Sequence, residues 1–309
     1  MEQRRRPGLL EAAAVWGLFA LVALAILVTY SRLSPGSLYH TSGAGLVGGA
    51  SRALVFAGFP LALVAVPLAW ISVARLRTRL AAAIAILATA LCATVGLPGV
   101  IDQADLDARP VNALAGAGAL LALCLTGAAW TRGGLGESAR FGRSDWLRVA
   151  VAAVLVAVAL PWIWADLGYY VSDAPVVGDP FIAEQIRPSL GGEPSLHAVH
   201  LGHHHGLDGI LLALAALLLS RVPAHMPRRG EGSALAIYAA LLLTYGLANA
   251  LQDAWNEQLV KRGTTDSKLP SVIRPDLSAA WLGIVLGACL IYFALFGVGR
   301  VNRPEGGIR

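Results

Sequence analysis

Five histidines fall within nine residues, His197, His200, His203, His204 and His205, just ahead of Asp208. Near neutral pH imidazoles act as metal ligands or proton carriers, and either use is favoured when several converge with a carboxylate. On a helix turning about 100° per residue, His197, His200, His204 and Asp208 share an arc of about 80°. That face carries three imidazoles and one carboxylate, a donor set for a divalent metal ion, zinc first, with copper or iron as alternatives.

Two further stripes carry acidic groups at helical spacing. Asn249, Gln252, Asp253, Asn256 and Glu257 follow the i, i+3, i+4, i+7, i+8 pattern of one helix face, and Asp166, Tyr169, Tyr170 and Asp173 follow a similar one. Asp253 and Glu257 are the candidate catalytic proton acceptors, which would serve a metal-bound water held by His197, His200, His204 and Asp208. His40 and the trio Asp102, Asp105 and Asp107 lie at the ends of other apolar runs and read more simply as solvated groups. His225 sits among arginines and carries no such signal.

The elements that must position these groups are membrane spans. The chain has 309 residues, 56% hydrophobic and 14% charged, whereas soluble domains carry about 25% charged residues. Eight apolar runs, about 8–30, 53–73, 80–97, 112–131, 147–166, 201–220, 233–252 and 278–299, are of a length to cross a hydrocarbon core about 30 Å thick. The fold class is therefore all-α, a polytopic helical bundle of about eight transmembrane helices in a single membrane domain spanning 1–309. The first run exceeds the roughly 7–15 residues of a signal-peptide core and reads as an uncleaved span.

Eight spans put both termini on one side. Of the 24 Lys and Arg residues, 16 fall in the segments shared with the termini and 8 in the alternate segments, so the termini are expected in the cytoplasm. Of the 19 acidic residues, 13 fall on the opposite side, with the histidine segment. The expected location is the plasma membrane, with the site on its extracytoplasmic face. The positive charge is spread over short span-flanking segments, so it speaks for topology and anionic lipid rather than nucleic acid. The expected partners are the bilayer and a lipid or periplasmic small-molecule substrate, and oligomeric state is not legible.

The sixth run sets the depth of the histidines. Its uninterrupted apolar stretch, Gly209 to Leu219, has 11 residues, or about 17 Å of helix. Arg221 and Pro223 oppose extension at one end, so the sequence predicts that the helix begins within 197–203 and carries the histidines into the outer leaflet.

Other motifs are set aside on physical grounds. Gly43, Gly45 and Gly48 fit a GxGxxG pattern without the βαβ unit that gives it meaning. His200, His203 and His204 match one histidine box of the membrane desaturases, which need several boxes on the cytoplasmic side. Cys92, Cys124 and Cys289 lie singly in apolar runs and build neither a disulfide framework nor a CxxC site. Three function classes stay open: an outward-facing metal hydrolase, metal or proton handling without catalysis, and an assembly protein that docks a partner.

Overall fold

The computed structural model describes residues 8–32, 44–97, 108–135, 141–166, 206–260 and 264–297, without the side chains of 161–162, 164–166, 257–258 and 297. These residues form helices and no strand: α1 (Leu10–Arg32), α2 (Gly45–Leu76), α3 (Arg79–Cys92), α4 (Asn112–Thr131), α5 (Arg143–Asp166), α6 (Gly206–Leu219), α7 (Arg229–Ala254) and α8 (Ala279–Tyr292). Short 3-10 or π turns extend α3, α7 and α8. Among the described residues seven helices are long and apolar enough to cross a membrane, so the chain is a multi-pass membrane protein by length and composition.

The eighth helix, α5, is not one of the seven. It is 24 residues long but begins with Arg143, Asp145 and Arg148, leaving 17 uncharged residues from 149 to 165, the lower end of the range of about 17–25 that spans a bilayer. Where the sequence predicts eight spans, seven are therefore supported. The second helix also departs from expectation by starting at Gly45 rather than near 53. Arg52 does not end it, because the guanidinium is 0% exposed and lies 5.4 Å from the Tyr30 ring centroid and 5.3 Å from that of Phe56. Aromatic faces and a buried aliphatic stem let an arginine enter a helix that a loop reading would exclude.

Segments expected to share the arginine-rich side lie together in space. Leu9 N donates to Leu135 O (2.7 Å), and Arg75 Nη2 donates to the carbonyls of Gly133 and Gly134. At the same end a buried charge cluster ties three helices together: Arg221 reaches Glu11 at 3.5 Å and Asp145 at 3.6 Å. Arg148 reaches Asp145 at 3.2 Å and donates from Nε to Ser220 Oγ at 2.7 Å.

Between the ends, polar groups join helices. Trp16 Nε1 donates to Thr126 Oγ1 (3.1 Å), which lies 3.1 Å from Ser72 Oγ, linking α1, α2 and α4. Pro67 inside α2 lacks the N–H that would bond the carbonyl of Leu63, and the Tyr238 hydroxyl of α7 supplies the donor at 2.7 Å. Helices α3 and α4 approach closely at Gly118, where a Cβ would meet Ala88 O at 2.8 Å. The most enclosed of the seven spans contains α6, which is apolar all round beyond Asp208 in its first turn and packs on α1, α2, α5 and α7, the pattern of a central bundle helix.

Candidate functional site

The seam between α6 and α7 is closed by two glycines that face each other. A Cβ on Gly209 would collide with Gly246 O and sit 2.8 Å from Ala250 N, and one on Gly246 would sit 2.9 Å from Ala213 N. Backbones can approach this closely only where neither residue has a side chain. One turn toward the start of α6 from Leu212, which also faces Gly246, stands Asp208. On α7, Asn249 faces Gly209, and Asp253 follows one turn later.

All three polar residues are enclosed: Asp208 is 6% exposed, Asn249 2% and Asp253 5%. Two carboxylates and an amide are costly in such surroundings unless they interact with one another or with further polar groups. Asn249 Nδ2 donates to Tyr245 O at 3.0 Å. Tyr245, one turn earlier on the same face, stacks on Trp281 with ring centroids 5.5 Å apart.

A strap, residues 264–278, leads from the end of α7 to α8 and returns along the seam. Trp255 Nε1 donates to Ser267 O (2.7 Å), and Asn256 bonds both backbone groups of Leu269 at 2.9 Å. Tyr245 Oη donates to Ile273 O at 2.8 Å, and Val272 and Ile273 are buried. The predicted stripe on α7 is thus divided: Asn249 and Asp253 enter the seam, while Asn256 holds the strap. Asn256 lies in the π turn Trp255–Val260 that follows α7.

Of the sequence-predicted metal ligands, Asp208 lies in the first turn of the described part of α6, and His197, His200 and His204 lie outside the described residues. Of the predicted proton acceptors, Asp253 lines the seam, and Glu257 lies in the π turn with its side chain outside the described set. His40, Asp102, Asp105, Asp107, Tyr169, Tyr170 and Asp173 are also outside it, as is the side chain of Asp166. Among the described residues no three His, Cys, Asp or Glu side chains converge as a metal site.

The predicted start of the sixth helix within 197–203 falls outside the described residues. Its other end stops at Leu219, where the sequence reading expected it to; Ser220, Arg221 and Val222 form turns back to Ala216, Leu218 and Leu219, and a 3-10 turn at Pro223–His225 follows. Arg221 is accommodated because Glu11 and Asp145 receive it. Sequence reasoning missed the strap and Tyr245, although Tyr245 stands one turn before Asn249 on the same helix face and could have been added to that stripe.

Residues 139–235 match the family model of phosphoglucomutase/phosphomannomutase, alpha/beta/alpha domain III. The stretch is a minority of the chain, and its described residues form α5, α6 and the start of α7 with no strand, so the match carries neither that fold nor that activity here. No curated protein and no solved structure matches the chain.

Proposed function

We propose that the protein is a membrane-embedded metal enzyme whose site lies at the histidine end of the α6–α7 seam, facing the extracytoplasmic side of the plasma membrane. His197, His200 and His204 bind a divalent ion, zinc first, and Asp208 completes or orients the set. When bound, such an ion lowers the pKa of a coordinated water toward neutrality. Asp253 or Glu257 accepts the proton, and the substrate is an ester or amide arriving from the lipid or periplasmic side. The observation that carries this reading is the pair of enclosed carboxylates, Asp208 and Asp253, on facing helices, with the five histidines immediately preceding α6 in the chain.

A site confined to one face is favoured over a conduit through the bundle. Thr89, Thr126 and Thr244, hydroxyls in the interior of spans, each donate back to the carbonyl four residues earlier in their own helix, at 2.7–2.9 Å. The Thr89 and Thr126 oxygens also accept from Trp70 and Trp16, which leaves these two little to offer a passing ion. Zinc K-edge absorption of the purified protein tests the ligand set: nitrogen and oxygen donors at roughly 2.0–2.2 Å are expected, with fewer nitrogen neighbours after His200→Ala. A spectrum of sulfur ligation, or one unchanged by that substitution, would overturn the assignment.

A further inference from the structure

Asn249 carries an acceptor that no donor among the described residues reaches. It is 2% exposed, its Nδ2 is occupied by Tyr245 O, and its Oδ1 is buried with no hydrogen-bond partner among the described residues. A buried acceptor left so costs about 1–3 kcal/mol and calls for a water or an ion. A Cβ on Gly209 would lie 3.2 Å from Asn249 Cβ, so the amide leaves α7 against the residue that follows Asp208, and Asp253 stands one turn on. The nearby Tyr245 hydroxyl already donates to Ile273 O in the strap.

We infer that this part of the seam is an oxygen-donor site for a hard divalent cation, with Asn249 Oδ1 as a ligand alongside the carboxylates of Asp208 and Asp253. Carboxylates with an amide carbonyl form the donor set of magnesium, calcium or manganese, whereas zinc favours imidazole and thiolate. Strap backbone on one side and the glycine crossing on the other enclose the position. The inference shares Asp208 and Asp253 with the proposed function but requires no histidine, so the two readings fail separately.

Manganese is the probe, titrated by electron paramagnetic resonance into the full-length, chelator-stripped protein in detergent. Wild type is expected to bind it, with magnesium or calcium competing. Asn249→Leu, which keeps the volume and removes the acceptor, is expected to weaken binding by about ten-fold or more with an unchanged melting profile, and Asn249→Asp to retain it. The His197/His200/His204 triple alanine should bind manganese as wild type does. The inference is overturned if wild type binds no manganese, if Asn249→Leu binds it equally well, or if the triple alanine loses it. Should Asn249→Leu fail to fold, Asp253→Asn takes its place, and undiminished binding there overturns the inference too.

Discussion

Gly209 of α6 and Gly246 of α7 meet backbone to backbone, each occupying the space into which the other would place a Cβ. This contact brings Asp208 level with Asn249 and Asp253, because the helices are too close to slide past one another without a clash. The obstructing atoms are main-chain carbonyls and amides, which cannot turn aside as a side chain can.

Gly246→Ala is therefore expected to destabilise the protein by about 1–3 kcal/mol through overpacking, despite alanine's better helix propensity. Gly283→Ala, where an added Cβ meets nothing within 4 Å, is the matched control. Thermal unfolding in detergent checks the pair, and equal melting temperatures would refute the backbone-contact account.

Tyr238→Phe removes the donor to Leu63 O and is expected to cost about 1–2 kcal/mol. Adding Pro67→Ala returns the backbone N–H that proline lacks, so the double variant should recover most of the loss. A double-mutant cycle measures this coupling, and strictly additive effects would show that the tyrosine acts in some other way.

At the arginine end, Arg221→Gln removes the cation shared by Glu11 and Asp145. The loss is expected to be up to about 3–5 kcal/mol, the cost of breaking a buried pair from one side, and smaller to the extent that solvent reaches the site. Arg228→Gln, at an exposed i,i+3 pair with Glu231, should cost under about 1 kcal/mol. Comparable losses at the two arginines would contradict the distinction.

Orientation is open to labelling. In a background without Cys92, Cys124 and Cys289, a cysteine at Ser189 should react with an impermeant thiol reagent applied from outside, and one at Ser138 should not. The reverse pattern would invert the topology, and labelling at both positions from outside would mean that α5 does not cross.

Apolar run length made most of the bundle legible in the sequence, because backbone groups in a bilayer must be satisfied within helices. It failed at Arg52, where burial between two rings is a tertiary event with no local signature. Helical spacing correctly brought Asn249 and Asp253 to the interior. Asn256, next on the same stripe, is half-buried and holds the strap. The Gly209–Gly246 contact was hidden for another reason: glycine is common in membrane helices, and its partner is chosen only when helices pack.

The central claim is that the histidines preceding α6 hold a metal ion together with Asp208, and metal content of the purified protein measures it most directly. Wild type should retain about one zinc, copper or iron ion per chain after gel filtration, and a correctly folded His197/His200/His204 triple alanine should retain none. A wild-type protein that carries no metal and takes up none on dialysis against zinc, or a triple alanine that carries as much, would contradict it.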